Sequence, residues 1–186
     1  MKKKNIQKII LSAMFLTIGF VLPFFTGQLK EIGDTLLPMH IPVMLCGLIC
    51  GAKYGFAVGL ILPFFRSFTV GMPPAFPNAV WMAVELATYG FAIGILYHSF
   101  HKKQVFWIYC SLVLSMLAGR VLWGIAKVIL LGVAGKAFTL EAFLIGGFVD
   151  AFPGIVLQLI LIPVIMRLKD VFFEKTRERK MICLKK

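Results

Sequence analysis

The chain has 186 residues, of which 60% are hydrophobic and only 15% are charged. A soluble domain of this length buries too little surface to hide so many apolar side chains, so the composition predicts an integral membrane protein. The formal net charge of +12 would suggest a nucleic-acid partner in a soluble protein, but the basic residues here crowd the termini and two connections. The positive-inside rule explains that pattern better, so we expect a lipid bilayer and no nucleic acid.

Six apolar runs predict membrane-spanning helices, although the second run is short for a bilayer. The N-terminal run is interpreted as the first helix rather than a signal peptide, because no A-x-A-type cleavage site follows it and several more spans do. Together the runs predict an all-α integral membrane protein with one membrane domain over residues 1–186. The predicted spans are 9–27, 39–51, 54–70, 78–97, 105–133 and 142–166, followed by a basic tail over 167–186.

The distribution of lysine and arginine predicts the orientation of these spans. Basic residues lie before the first span, between the second and third, between the fourth and fifth, and in the tail. In the loops on the opposite side, the only basic residues are Lys30 and Lys136. The positive-inside rule therefore places both termini in the cytoplasm, in agreement with an even number of spans. We expect a multi-pass protein of the cell (plasma) membrane.

The segment over residues 64–85 carries polar side chains inside an apolar hairpin. Arg66 lies near the outer end of the third span, and a Gly/Pro-rich connection over 71–77 follows it. Asn78, Trp81 and Glu85 then lie along one side of the fourth span. Charges within membrane spans are costly and by default indicate a functional site. We predict that this hairpin forms one wall of a polar pocket near the outer membrane surface.

The fifth span carries a matching stripe of polar and aromatic side chains. Arg120, Trp123 and Lys127 follow i, i+3, i+7 spacing and share one helix face. Helical rise places this stripe, together with Glu85 and Asp150, in the outer half of the membrane or near its midplane. The predicted substrate-binding residues are Arg66, Asn78, Trp81, Glu85, Arg120, Trp123, Lys127, Asp150 and His40.

The balance of intramembrane charge favours an anionic ligand, because three cations outnumber two carboxylates in the predicted pocket. In a purely structural alternative, the carboxylates neutralise the cations only to hold the bundle together. In a second alternative, Arg66 and Lys127 extend to the outer surface. His40, at the entrance to the second span, could equally be a helix-end residue.

Sequence motifs for catalysis and metal binding are missing. The chain has no G-x-x-x-x-G-K-[ST] phosphate loop, no H-E-x-x-H zinc helix and no G-x-S-x-G elbow. An intramembrane enzyme would need a nucleophile or metal set that we do not find. Cys46 and Cys50 share a helix face near His40, but buried thiols usually act as small hydrophobes. We expect no enzymatic activity, no metal and no cofactor.

The first span contains a pair of small residues, Ala13 and Thr17, spaced so that another helix can approach closely. For a lone pair of this kind we expect packing inside the protein. A docking surface for a partner subunit is the alternative.

Two segments of the sequence carry a family resemblance. LLPMHIPVMLCGLICGAKYGFAVGLILPFFRS, over residues 36–67, and GMPPAFPNAVWMAVELATYGFAIGILY, over 71–97, resemble the substrate-binding S components of energy-coupling factor (ECF) transporters. Within that family they look most like the pantothenate-type branch. The chain length, the short helices, the small-residue first helix and the basic termini are similar too, and the resemblance covers residues 9–166.

The resemblance implies a vitamin-binding membrane subunit, most specifically for pantothenate. Such a subunit works with a transmembrane coupling protein and two cytoplasmic ATPases, and topples in the membrane to deliver its substrate. Ala13 and Thr17 match the place where the family's small-residue motif meets the coupling protein, although Thr17 is bulkier than the alanine often found there. Alternatives are another carboxylated vitamin such as folate, or a non-transporting membrane scaffold. The outward connections over 28–37 and 71–77 are candidate gates of the pocket.

Overall fold

The computed structural model describes residues 2–25, 36–100, 105–133 and 139–184. Helices account for nearly all of these residues, and no β-strand occurs within the described ranges. The predicted all-α class is therefore confirmed. The helices are α1 (Lys2–Phe25), α2 (His40–Cys50), α3 (Ala52–Val70), α4 (Val80–Ser99), α5 (Val105–Val133), α6 (Leu140–Leu144) and α7 (Phe152–Leu184), with wide helical turns at Ala75–Ala79 and Ile145–Val149.

In the part of the chain that the structure describes, four stretches of helix are long and apolar enough to cross a membrane. They are Asn5–Phe24, Ala75–Ser99, Val105–Val133 and Phe152–Val171. These stretches correspond to the first, fourth, fifth and sixth predicted spans. The second, α2, has only 11 residues, and α3 has 19 residues but contains Lys53 and Arg66 and falls outside this group. Six spans and cytoplasmic termini thus stay predictions.

The region predicted as the sixth span, 142–166, is not one continuous helix. Thr139 caps the start of α6 by accepting a hydrogen bond from the Ala142 N–H at 3.2 Å. The chain then widens into the turn at Ile145–Val149, and Asp150 precedes the start of α7. Pro153 lies in the first turn of α7, where a missing backbone N–H breaks no helical hydrogen bond. Beyond 166, α7 continues to Leu184, so part of the predicted basic tail is helical.

Glycines allow α3 and α4 to pack in backbone contact. A Cβ atom at Gly90 of α4 would collide with the carbonyl group of Gly55 in α3, and one at Gly59 would collide with that of Leu86. Small residues let membrane helices approach closely and gain dispersion contacts along the shared length. This seam fixes α4 against α3 and thereby sets the position of the polar residues on α4.

One cluster of the apolar core lies among α2, α4, α5 and α7, and a second lies among α2, α3 and α4. In the first cluster, Met44, Ile93, Leu112 and Ile162 come from the four helices in turn, and each is fully buried. By contrast, α1 leaves most of its large apolar side chains exposed, as expected for a helix that faces lipid or a partner. A side-chain hydrogen bond connects α1 with α2, because the Ser12 hydroxyl accepts a hydrogen bond from the Cys46 thiol at 3.5 Å.

Candidate functional site

A buried polar cluster is centred on the carboxylate of Glu85. Its Oε1 forms an ion pair with Nη1 of Arg120 at 2.8 Å and accepts a hydrogen bond from the Tyr89 hydroxyl at 3.0 Å, and it lies 3.5 Å from Nε2 of His40. Glu85 and Arg120 are only 3% and 4% exposed. Burying such a pair requires good geometry and further hydrogen bonds to offset the lost hydration. The structure therefore brings together three predicted site residues, Glu85, Arg120 and His40.

Local sequence explains why these groups converge. Glu85 and Tyr89 are four residues apart on α4 and so lie one above the other. The ring of Tyr89 packs where Gly119 of α5 has no side chain, since a Cβ there would collide with the ring. His40 is the first residue of α2, and its ring centroid lies 5.2 Å from that of Tyr89. Three helices thus each contribute a polar group to one point.

A cavity of about 200 Å³ lies beside this cluster. Tyr89 and Arg120 line it from α4 and α5, and Gln158 lines it from α7. The rest of the lining is apolar and includes Met116 and Phe148. A cavity with a few polar groups among apolar walls is typical of a small-molecule site.

Hydrogen-bond donors beside the cavity are unsatisfied. Among the residues that the structure describes, Nε and Nη2 of Arg120 and the amide nitrogen of Gln158 are buried and have no hydrogen-bond partner. A buried donor without a partner costs roughly 1–3 kcal/mol. These three donors can bind an oxygen-bearing ligand, and the guanidinium group is best suited to a carboxylate.

Lys127 lies between two indole rings towards the C-terminal end of α5. Its Nζ atom is 5.1 Å from the ring centroid of Trp81 on α4 and 4.1 Å from that of Trp123. The Arg120 guanidinium carbon lies 5.6 Å from the Trp123 ring. These distances lie within the range of cation–π attraction. The polar stripes of α4 and α5 therefore face each other at this point.

Arg66 makes different contacts from those of the cluster. Its Nε donates a hydrogen bond to the Met72 carbonyl at 3.1 Å, and its guanidinium carbon lies 5.6 Å from the centroid of the Phe24 ring. Arg66 is only 5% exposed, so it does not extend to the surface as one alternative expected. Its bond to Met72 ties the candidate gate over 71–77 to α3.

Asn78 and Asp150 lie outside the cluster. Asn78 is half-buried in the turn that precedes α4, and Asp150 is exposed just before α7. Among the described residues, neither forms an ion pair or a side-chain hydrogen bond with the cluster. Asp150 does not neutralise Arg120. In the described part of the chain, the carboxylate in contact with Arg120 is that of Glu85.

Sequence reasoning missed two polar residues at the cavity, Tyr89 and Gln158. The signal for Gln158 was present, because an amide inside an apolar span is itself unusual. Tyr89 could have been found from its position one helical turn after Glu85.

Ala13 and Thr17 are both exposed on α1, so this face does not pack against the described helices. The expected internal packing of the pair is therefore wrong for this part of the chain. The Thr17 hydroxyl donates a hydrogen bond to the Ala13 carbonyl at 3.0 Å, which satisfies its polar group within the helix. The other candidate gate, over 28–37, lies mostly outside the described residues.

Within the described ranges, no group of three or more His, Cys, Asp or Glu side chains is placed to hold a metal ion. Cys46 and Cys50 are buried, free thiols on α2. Charge and hydrogen-bonding capacity at the site are carried by Glu85, Arg120 and Gln158.

A family model described as "ECF transporter, substrate-specific component" matches residues 7–166. No curated protein and no solved structure matches the chain. The matched region contains the whole polar cluster and every residue that lines the cavity. The chain therefore belongs to the family of ECF transporter substrate-specific components, the S components, which are membrane-embedded substrate-binding subunits rather than enzymes.

Proposed function

We propose that this chain binds a small carboxylated vitamin in the cavity beside Arg120, with pantothenate as the leading candidate. The observation that supports this most directly is the geometry of the Arg120 guanidinium group. One nitrogen binds Glu85 at 2.8 Å, whereas two others are buried beside the cavity without a hydrogen-bond partner among the described residues. A ligand carboxylate would satisfy both of these donors, because charge-assisted hydrogen bonds to a guanidinium group are strong and directional.

Charge in and around the cluster also favours an anion. Arg120 and Lys127 share one face of α5, and both lie against the Trp123 ring. Glu85 contacts Arg120, while Asp150 is exposed and apart from it. A ligand carboxylate at Arg120 would place a negative charge beside the guanidinium group in a region of low dielectric, where opposite charges attract strongly.

The size and lining of the cavity favour pantothenate over folate. Its volume of about 200 Å³ lies below the roughly 300–1,000 Å³ typical of sites for drug-sized ligands. Folate, with its pteridine, benzoyl and glutamyl groups, is much larger than pantothenate. The Gln158 amide would bind the amide or hydroxyl groups of pantothenate, and the apolar walls would contact its dimethyl-substituted carbon. The resemblance of residues 36–67 and 71–97 to the pantothenate-type branch supports the same choice.

The chain would take up its vitamin together with a transmembrane coupling protein and two cytoplasmic ATPases. The absence of a phosphate loop from the sequence is consistent with ATP hydrolysis by partner subunits. The exposed face of α1 that carries Ala13 and Thr17 is the proposed docking surface for the coupling protein. In this scheme the termini are cytoplasmic and the protein is in the plasma membrane.

Thermal unfolding of the purified, vitamin-depleted protein against a vitamin panel tests this function. A ligand that binds only the folded state stabilises it by about 2.7 kcal/mol at a hundred times its Kd. We expect the unfolding temperature to rise with pantothenate. A rise with a different carboxylated vitamin would retain the transport function and correct the substrate. No rise with any vitamin would favour the alternative of a membrane scaffold, in which Glu85 and Arg120 only hold the helices together.

A further inference from the structure

The guanidinium group of Arg66 has no counter-charge among the residues that the structure describes. Its Nε donates a hydrogen bond to the Met72 carbonyl at 3.1 Å, whereas Nη1 is buried without a hydrogen-bond partner. The ion pairs within the described ranges involve the carboxylates of Glu85 and Asp170, and Arg66 takes part in none of them. A largely buried charge is costly unless it is paired and hydrogen-bonded, so an anion beside Arg66 would be stabilising.

The contacts of Arg66 place it where two long apolar stretches of helix end and begin. Its guanidinium carbon lies 5.6 Å from the ring centroid of Phe24, the last residue of the stretch Asn5–Phe24. Met72, which accepts its hydrogen bond, lies just before the stretch Ala75–Ser99. The ends of membrane-spanning stretches lie where the hydrocarbon core meets the lipid headgroups. Arg66 is therefore at the depth of the headgroups rather than at the centre of the membrane.

The surface around Arg66 is apolar and exposed. Phe68, two residues further along α3, is 79% exposed, and Phe65, next to Arg66 in the chain, is also exposed. Phe24 and Met72, which contact Arg66 directly, are exposed as well. In an integral membrane protein, such side chains contact the acyl chains of lipids. A cation at headgroup depth beside an apolar surface matches the two parts of a phospholipid, which are a phosphate group and acyl chains.

We propose that Arg66 binds the phosphate group of an anionic phospholipid, with the acyl chains of that lipid along Phe24, Phe65 and Phe68. The phosphate reaches the guanidinium group at Nη2, which is neither fully buried nor hydrogen-bonded in the described part of the chain. A guanidinium group forms strong, charge-assisted hydrogen bonds with phosphate oxygens. An anionic lipid is required because a zwitterionic headgroup brings its own cation, which offsets the phosphate charge.

The lipid site is distinct from the site of the proposed vitamin. Arg66 does not line the cavity beside Arg120, so the two sites can be tested separately. The bound lipid would contact α1 at Phe24 and α3 at Arg66, beside the place where the rings of Phe20 and Phe65 pack at 5.3 Å. A ligand that binds two helices of the folded protein raises the unfolding temperature by mass action.

The test is a titration of the unfolding temperature of the full chain, purified in a nonionic detergent and stripped of lipid. Phosphatidylglycerol is the anionic probe, and phosphatidylcholine is the zwitterionic one. For the unaltered protein, we expect phosphatidylglycerol to reach its half-maximal effect at a concentration about tenfold or more below that of phosphatidylcholine. In Arg66→Gln, the half-maximal concentration of phosphatidylglycerol should rise about 10- to 100-fold. Arg66→Lys keeps the charge and should retain the preference for phosphatidylglycerol.

Lys53→Gln is the matched control, because it removes an exposed charge at the opposite end of α3 and should leave the titration unchanged. Equal half-maximal concentrations for Arg66→Gln and the unaltered protein would overturn the lipid site. An equal shift with inorganic phosphate at the same concentration would overturn the lipid as the ligand and indicate a free anion. Loss of pantothenate-induced stabilisation in Arg66→Gln would also overturn it, because Arg66 would then serve the vitamin site. If Arg66→Gln fails to fold, equal effects of the two lipids on the unaltered protein would overturn the proposal.

Discussion

At the scale of single residues, the site combines a satisfied charge pair with unsatisfied donors. Glu85 binds Arg120 and Tyr89, while two nitrogens of Arg120 and one of Gln158 have no partner among the described residues. The sequence predicts that Glu85 and Arg120 share a site, and the structure brings the two side chains into contact. Helical spacing could not predict Gln158, because periodicity gives the face of a helix and not which other helix lies opposite.

The buried amide of Gln158 gives the first prediction. Gln158→Leu removes a donor without a partner and fills its space with an apolar side chain, so we expect the ligand-free protein to gain roughly 1–3 kcal/mol of unfolding free energy. Affinity for pantothenate should fall about tenfold, because a ligand hydrogen bond is lost. Thermal unfolding and calorimetry measure the two effects. Gln7→Leu, at an exposed position of α1, should change neither.

The pair of Glu85 and Arg120 gives a second prediction. Arg120→Met leaves a buried carboxylate without its cation, and we expect a loss of roughly 3–5 kcal/mol of unfolding free energy. The double variant Arg120→Met, Glu85→Leu removes both charges and should recover most of that stability, whereas pantothenate binding should stay lost. A double variant that binds pantothenate as tightly as the unaltered protein would show that the pair is structural only.

At the scale of helices, the glycines of α3 and α4 act as contact points between the two backbones. Gly90 and Gly55 place two backbones in direct contact. Gly90→Ala should therefore destabilise the protein by roughly 1–3 kcal/mol, as overpacking of a close contact does. Gly132→Ala is the control, because a Cβ there meets no atom within 4 Å and the helix gains intrinsic propensity. Equal effects of the two substitutions in thermal unfolding would exclude a tight seam.

The first helix gives a prediction about assembly. Ala13→Trp should leave folding and vitamin binding unchanged, because the residue is exposed on α1. It should weaken copurification with the coupling protein, since a large side chain separates helices that meet at a small-residue face. Ile18→Trp, an exposed position roughly 140° further round the helix, is the matched control. Unchanged copurification of the Ala13 variant would contradict the docking assignment.

The break between α6 and α7 shows a limit of hydropathy at this scale. Apolar residues on both sides of Asp150 make residues 142–166 look like a single span. The wide turn at Ile145–Val149 nevertheless divides the region, and α7 begins only at Phe152, with Pro153 in its first turn. The division places Phe148 and Gln158 on separate elements, and both line the cavity.

At the scale of the whole molecule, the sequence was sufficient to predict the all-α class and to place polar residues on α4 and α5, of which Glu85 and Arg120 meet in the structure. These follow from composition and from the 3.6-residue period, which are local properties. The position of the cavity depends on how α7 lies relative to α4 and α5, and that packing is set by contacts distant in sequence. Asp150 illustrates the difference. Helical rise placed it at the membrane depth of the predicted pocket, but its side chain is exposed in the structure.

Carboxylate recognition by Arg120 is the central claim, and a calorimetric comparison of two ligands tests it most directly. Pantothenol keeps the amide and hydroxyl groups of pantothenate but has a hydroxymethyl group in place of the carboxylate. Hydrogen bonds to charged groups are worth roughly 1.5–3 kcal/mol, so we expect pantothenol to bind about 10- to 100-fold more weakly to the unaltered protein. Equal affinities, or tighter binding of pantothenol, would contradict a site built around the unpaired donors of Arg120.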